Sequence, residues 1–304
     1  MAHALETSES DPILVDHPLI TAIYGKFSYR IERKGDQSIY RVTDGTSTIT
    51  MPIRWAVGAS SALGQTYILQ NDGKFYESRM SWFKELNGLG PTLGAQKTLP
   101  ADLLEAVGRL LSEDETIRCL ECHATDAASG KQLTLDKITP GVQCSHCHEA
   151  TVAHVAALAK GSDNPVVSAG LTKLRHLTAE QASDFCGRCH RTWSDVVTRE
   201  DYSVNNVRFQ PYRLWSSRCY DPDDTRISCL TCHDPHTEVS AHLADYDAKC
   251  LACHGGGKTG AKSCRASKNN CVSCHMPKTE LQGAHYSFTD HRIRIVKAND
   301  RFLP

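Results

Sequence analysis

The chain repeats one short pattern, Cys-x-x-Cys-His, six times. Two thiols three positions apart can form thioethers with the vinyl groups of haem, and the next histidine can then coordinate the iron. The pattern therefore predicts six covalently bound c-type haems. The expected attachment residues are Cys119, Cys122, Cys144, Cys147, Cys186, Cys189, Cys229, Cys232, Cys250, Cys253, Cys271 and Cys274. The expected proximal iron ligands are His123, His148, His190, His233, His254 and His275.

Cys-x-x-Cys pairs also occur in zinc ribbons and redox dithiols. Neither use requires a histidine directly after the second cysteine, and histidine makes up only 15 of the 304 residues. Its presence in all six motifs favours haem.

Covalent haem attachment takes place outside the cytoplasm, so we expect a periplasmic or extracellular protein. Residues 1–11 lack the apolar core of a signal peptide. We expect that a signal peptide was removed or is missing from the sequence.

A second axial ligand for each iron could come from the histidines outside the motifs. These are His3, His17, His146, His154, His176, His236, His242, His285 and His291. Any one of them could instead be a surface or hydrogen-bonding residue. Together they are numerous enough to close every iron with two histidines, whereas the chain has only four methionines. Bis-histidine ligation excludes substrate from the iron and lowers its potential, as in an electron carrier.

The first hundred residues carry strand patterns rather than cysteines. Apolar residues alternate with polar ones, for example at Phe27, Tyr29 and Ile31. Five segments are predicted as strands: 27–31, 38–43, 47–54, 65–70 and 74–80. We expect a small antiparallel sheet with Trp55, Tyr67, Tyr76 and Trp82 in its core.

A helix is predicted after Pro100, continuing into the first motif, because leucines and Val107 recur at helical spacing. Thr178 and Gln181 predict a capping box for the helix that carries Cys186, and residues 152–160 predict another short helix.

The six motifs are too closely spaced for a side-chain core around each haem. The fold class is therefore α+β, with a β-rich subdomain over 1–100 and a hexahaem domain over 101–304 whose core is the haems.

Composition excludes several classes of protein. The hydrophobic share is 40% and the charged share 23%, as in ordinary globular proteins. A net charge of −1 gives no support for binding nucleic acid. No window of 18 uncharged apolar residues exists, so no transmembrane segment is predicted.

From about His123 onward the chain resembles multihaem c-type cytochromes related to the tetrahaem partner of hydroxylamine oxidoreductase, a doubled Cys-x-x-Cys-His family. The segments that carry the resemblance are Gly141–His148 with His154, Asp184–His190, Cys229–His236, and Cys271–Lys278 with His285 and Thr289–His291. The resemblance implies that His154, His236, His285 and His291 are distal ligands.

The N-terminus resembles a stretch that in some relatives follows a further haem motif. Met1–Ala4 matches it, which implies that His3, and more weakly His17, is a ligand. It also implies that an upstream motif is missing from this chain.

Two cysteines lie outside the motifs, Cys219 and Cys264, and have counterparts in relatives. A disulfide between them, two separate thiols and a metal role all stay open.

The expected function is electron transfer through closely packed haems to redox partner proteins, rather than catalysis. One alternative is a multihaem oxidoreductase acting on a small nitrogen or sulfur oxyanion, which would need an iron with an open position. Another is a homo-oligomer, a subunit of an extracellular cytochrome filament, in which an N-terminal histidine ligates a haem of the next protomer.

Overall fold

The computed structural model describes residues 1–58, 64–148, 151–160, 174–200, 202–256, 262–297 and 300. The α+β class predicted from the sequence is confirmed. The chain forms two compact units. One comprises Met1–Thr172 with Gln282–Tyr286, and the other comprises Lys173–Leu281 with Ser287–Pro304. The division at residue 100 into a β-rich and a haem-carrying domain stays a prediction.

The first unit is built on a ten-stranded sheet in which every pairing is antiparallel. Its strands are Leu5–Thr7 (β1), Leu19–Tyr24 (β2), Phe27–Lys34 (β3), Gln37–Thr43 (β4), Thr48–Val57 (β5), Gly64–Asn71 (β6), Lys74–Ser78 (β7), Met80–Phe83 (β8), Gly88–Pro91 (β9) and Gly108–Leu111 (β10). The main path runs β10-β7-β6-β5-β4-β3-β2, with β1 on β5, β8 on β6 and β9 on β8. The five predicted strands are all present, and the sheet is twice as large as expected.

Alternation places the sheet's apolar side chains in two buried clusters. Trp55, Tyr67 and Trp82 are buried as predicted, while Tyr76 is only partly buried. The β6–β7 hairpin turns through Asp72 and Gly73, whose φ angles are 48° and 73°. Two left-handed residues in a two-residue loop match the right-handed twist of antiparallel strands, which explains the Asp-Gly sequence at this turn.

The single helix predicted from Pro100 into the first motif is wrong. Leu103–Val107 (α2) is one short helix, strand β10 follows, and Glu113–His123 (α3) begins afterwards. Gly108 has a φ of 151°, and a Cβ there would lie 2.1 Å from the carbonyl oxygen of Glu77 on β7. This close pairing with β7 overrides the helical spacing of the leucines, and Leu110 is left exposed.

The other elements of the first unit are short. They are Pro12–Asp16 (α1), Cys144–Cys147 (α4), Thr151–Ala159 (α5), and two small hairpin pairings, Ala124–Thr125 (β11) with Thr139–Pro140 (β14) and Ala128–Ser129 (β12) with Gln132–Leu133 (β13). Helix α5 confirms the helix predicted over 152–160.

The second unit consists mostly of short helices. They are Ala179–His190 (α6), Trp193–Arg199 (α7), Gln210–Trp215 (α8), Cys229–Cys232 (α9), Leu243–His254 (α10) and Cys271–His275 (α11), with 3₁₀ turns at Leu174–His176 and Val204–Arg208 and one strand pair, Lys278–Glu280 (β15) with Ser287–Thr289 (β16). The predicted capping box of α6 is confirmed, since Gln181 N donates to Thr178 Oγ1 and Thr178 N donates to Gln181 Oε1. Within the described residues, no helix combines the length and apolarity needed to cross a bilayer.

Candidate haem-binding sites

All six Cys-x-x-Cys-His motifs lie at the C-terminal end of a helix. The first, third and fifth close the longer helices α3, α6 and α10, and the others form the single-turn helices α4, α9 and α11. Residues i and i+3 of a helix share a face, so each motif presents its two thiols to the same side. This is the arrangement that two thioether links to one haem require.

Several motif histidines are oriented by a hydrogen bond from ring atom Nδ1 to a backbone carbonyl. His123 bonds to Ala4 O at 3.0 Å, His254 to Lys262 O at 2.9 Å, and His275 to Arg294 O at 2.8 Å. A carbonyl oxygen only accepts, so Nδ1 carries the proton in each ring. The other nitrogen, Nε2, therefore keeps its lone pair for a metal, with the ring orientation fixed.

The third motif histidine, His190, has its Nδ1 3.2 Å from Gln210 Oε1, which can accept the same kind of bond. The second and fourth motif histidines, His148 and His233, are both partly buried. Burial lowers the pKa of His233 below its ordinary value and so favours the neutral imidazole that metal ligation needs.

The structure brings His233 together with His291, one of the expected distal ligands. Their ring centroids are 6.2 Å apart. Two imidazoles that bind one metal from opposite sides have centroids about 6 Å apart, given metal–nitrogen bonds of about 2 Å. Nδ1 of His291 donates to Thr289 O at 3.0 Å, and burial lowers the pKa of His291 to about 4. This pair therefore fits an iron held between two neutral histidines.

The other distal candidates lie in differing surroundings. His154 on α5 has a buried Nδ1 that makes no hydrogen bond with any described residue. His285 adopts a φ of 50° and packs edge-on against Phe83, at 4.9 Å between ring centroids. His236 is exposed beside Asp234, whose carboxylate lies 3.0 Å from Nδ1.

The N-terminal segment packs onto the first two motifs. Ala4 O accepts from His123, and Met1 O accepts from Val142 N, two residues before the second motif. Gly141 has no room for a Cβ, which would lie 1.7 Å from Ala2 O. This packing places His3, exposed and bonded through Nδ1 to Glu6 at 2.7 Å, beside the chain of both motifs.

His17 lies elsewhere in the first unit. It follows α1, its Nδ1 is 3.0 Å from Ile13 O, and its ring centroid is 6.0 Å from that of Trp82. The resemblance assigns no ligand role to three histidines. His146 is partly buried, and His176 and His242 are exposed.

Two pairs of motif helices pack together, α6 against α9 and α10 against α11. The Cys186 thiol of the third motif lies near Cys229 of the fourth, and Cys250 of the fifth lies near Cys271 of the sixth. Burial raises the pKa of the Cys250 thiol, and burial together with the Asp247 carboxylate raises that of Cys271 to about 12.

Two arrangements escaped the sequence interpretation. Asp247 on α10 accepts hydrogen bonds from the backbone nitrogens of Asn270 and Cys271, both at 2.7 Å, and so ties α10 to the start of α11. Arg213 and Asp290 form a buried ion pair. No local motif marks either one, because the partners are 23 and 77 residues apart in sequence.

The distribution of apolar side chains also fits haem as a structural component. Both hydrophobic clusters lie in the first unit. The buried apolar residues described in the second unit are Ala179, Ala182, Val196, Val207, Tyr212, Leu214 and Leu281. So few side chains cannot form a core for a chain of this length. A core completed by haem between the motif helices fits this distribution and stays a prediction.

Residues 96–149 match the family model described as cytochrome c554 and c-prime. This stretch contains the first two Cys-x-x-Cys-His motifs. The match supports a c-type cytochrome. Such a cytochrome carries covalently bound haem c and typically works in electron transfer outside the cytoplasm. No curated protein and no solved structure was found that matches the chain. The resemblance to cytochromes related to hydroxylamine oxidoreductase stays a prediction.

The two cysteines outside the motifs, Cys219 and Cys264, are residues exposed at the surface, although the Cys219 sulfur is partly covered, and they do not form a disulfide in this structure. Burial raises the pKa of Cys219, and charges on the nearby Cys250 and Cys253 would raise it further. Hydrogen bonds from the backbone of Ser267 and Ala266 lower the pKa of Cys264.

Proposed function

We propose that this cytochrome transfers electrons through six covalently attached, closely packed haems, most of them ligated by two histidines. The observation that carries the proposal is the packing of motif helices in pairs, α6 against α9 and α10 against α11, which brings Cys186 near Cys229 and Cys250 near Cys271. Each thiol is the attachment point of a different haem, so the third and fourth attachment points are adjacent, and so are the fifth and sixth. Electron tunnelling falls steeply with distance, and adjacent attachment favours a relay.

When bound, each haem supplies a one-electron iron couple. The chain's own residues hold and orient the ligands. Backbone carbonyls fix the rings of His123, His254 and His275 with Nε2 as the donor. We assign the proximal positions to the six motif histidines, and the distal positions to His154, His236, His285 and His291, with His3 and His17 as further candidates.

The His233–His291 pair supports electron transfer over catalysis. Two imidazoles at the separation of a six-coordinate site leave no open position on a metal between them. We therefore propose a carrier that exchanges electrons with redox partner proteins in the periplasm or outside the cell.

The test is an intact mass and a ferric optical spectrum of the holoprotein. We expect six haems and a low-spin spectrum. The matched variant Cys119→Ser/Cys122→Ser should lose the mass of one haem and leave five. A mass that corresponds to bound zinc, or fewer than six haems after full maturation, would contradict the proposal.

Two kinetic measurements separate the alternatives. The reduced holoprotein should be reoxidised rapidly by a ferric cytochrome in stopped flow. Turnover of nitrite or hydroxylamine at an enzyme-like rate, together with a ferric high-spin signal, would favour the oxidoreductase alternative. Filaments in electron micrographs would favour the filament subunit.

A further inference from the structure

The second unit contains an ion pair without access to solvent. Arg213 on α8 meets Asp290, which follows β16, through Nε to Oδ1 at 2.8 Å and Nη2 to Oδ2 at 3.0 Å. The two side chains are 2% and 0% exposed. The same carboxylate also accepts from Arg294 Nη1 at 2.7 Å and from the backbone nitrogen of Arg292 at 3.0 Å. Both of its oxygens are therefore fully committed.

Such a pair is a weak means of stabilisation, since apolar side chains of similar volume often do as well. Its distinguishing property is a fixed geometry, because the guanidinium fork binds both oxygens of a carboxylate at once. The backbone that carries Asp290 is thereby held in one orientation against α8. We refer to residues Asp290–Arg294 as the anchor segment.

The anchor segment carries His291 directly after its buried aspartate. The carbonyl oxygen of His291 accepts from Ser217 Oγ at 3.2 Å, and Ile293 N donates to the same hydroxyl at 2.8 Å. With Nδ1 bonded to Thr289 O, neither the backbone nor the ring of His291 is free to turn. Its ring is thus held at the 6.2 Å centroid separation from His233.

The other end of the anchor segment holds a second ligand. Arg294 accepts at its carbonyl oxygen from His275 Nδ1 at 2.8 Å, and Arg294 N donates to His275 O at 3.1 Å. The Arg294 side chain is the second cation on Asp290. One aspartate thereby connects the backbone around His291 with the ring of the sixth motif histidine.

We propose that Arg213, Asp290 and Arg294 form a shared positioning element that holds the axial ligands of two different haems, through His291 at the fourth motif and His275 at the sixth. These residues act through the histidines and touch no iron themselves. The inference rests on the proposed haem ligation and adds to it a mechanical coupling between two ligation sites.

The experiment is electron paramagnetic resonance of the ferric holoprotein, with the haem count from intact mass. Asp290→Asn keeps the shape and removes the charge, and Arg213→Lys keeps the charge and removes the fork. We expect Asp290→Asn to convert up to two haems to high spin with all six still attached. Arg213→Lys should convert a smaller fraction. The matched control is Asp224→Asn, which breaks the exposed Arg226–Asp224 pair of the same unit and should leave every haem low-spin.

A purely structural role gives a different result. If Asp290→Asn and Arg213→Lys lower the melting temperature but leave all haems low-spin, the inference is wrong. Should Asp290→Asn fail to accumulate, Arg294→Gln, which removes only the partly exposed second cation, decides the question in the same way. Failure of the proposed function itself is recognised separately, as fewer than six haems or a high-spin signal in the unsubstituted protein.

Discussion

At the scale of single residues, the hydrogen bond made by Nδ1 of a motif histidine decides which ring nitrogen is left to bind a metal. The sequence alone was sufficient to propose the histidine after each cysteine pair as an iron ligand. It could not identify the carbonyls that orient them, because Ala4 and Arg294 lie 119 and 19 residues from the rings they accept from. Such bonds depend on tertiary folding, and no local pattern predicts them.

The close approach of His291 to His233 leads to a prediction. Replacing His291 by alanine should turn one ferric haem high-spin and leave the haem count unchanged, since attachment depends on the cysteines. Optical and magnetic resonance spectra measure the spin state, and intact mass gives the haem count. The control is His242→Ala, at an exposed histidine that precedes α10. An unaltered spectrum would remove His291 from the ligands.

At the scale of helices and strands, the motif helices are joined by contacts that no motif contains. Asp247 on α10 is the clearest joint, because it accepts the backbone nitrogens of Asn270 and Cys271. These bonds lower the pKa of Asp247, so the carboxylate is charged at neutral pH. The separation of the fifth and sixth motifs therefore depends in part on this side chain.

Asp247→Ala should loosen the contact between α10 and α11 and reduce the electronic coupling between the last two haems. The splitting of the Soret band in circular dichroism measures this coupling. Asp245→Ala, on the same helix but exposed, is the matched control and should leave the splitting unchanged. A splitting that stays at the parent value in both variants would show that Asp247 does not set the spacing.

A second prediction at this scale concerns α3, which carries the first motif. Its capping box joins Ser112 and Glu115, and Arg109 also bonds to the Glu115 carboxylate. The backbone nitrogen of Ser112, followed by Arg109, lowers the pKa of Glu115 from 4.5 to about 2. The cap therefore stabilises the fold fully above pH 4.5, and this contribution is lost as the pH falls towards 2.

Glu115→Gln does not titrate in this window. The free energy of unfolding of this variant should consequently depend less steeply on pH between 4.5 and 2 than that of the parent protein, as measured by urea unfolding. The control is Glu113→Gln, which removes the same charge from the same helix and leaves the box intact. Equal slopes for Glu115→Gln and the parent would mean that the cap does not form in solution.

The strands were predicted well, because alternation with turn residues is a local signal. The helix after Pro100 was predicted wrongly, since the leucine spacing says nothing about the pairing of Gly108 with β7. The capping box at Thr178 was recognised. Those at Ser112 and Thr192 carry the same local signature and could have been found in the same way.

At the scale of the whole molecule, the proposed haems change the balance of charge. The chain alone carries −1. Six haems add about twelve propionates against about six positive ferric centres, so the oxidised holoprotein should carry about −7. We expect it to focus at a more acidic pH than the haem-free chain, and its electron exchange with a cationic partner to slow as salt screens the attraction. Exchange that does not respond to ionic strength would show that arginines neutralise the propionates internally.

The unequal distribution of buried apolar side chains has a consequence for how the protein is made. The first unit contains two hydrophobic clusters and can collapse as soon as its chain is released. The second unit has few buried apolar residues among those described, so we expect its fold to be less stable before haem is attached. A haem lyase would then reach motif thiols that are partly buried in the folded unit. A shortage of iron would therefore leave the second unit exposed to proteases, and cofactor supply would control the amount of protein.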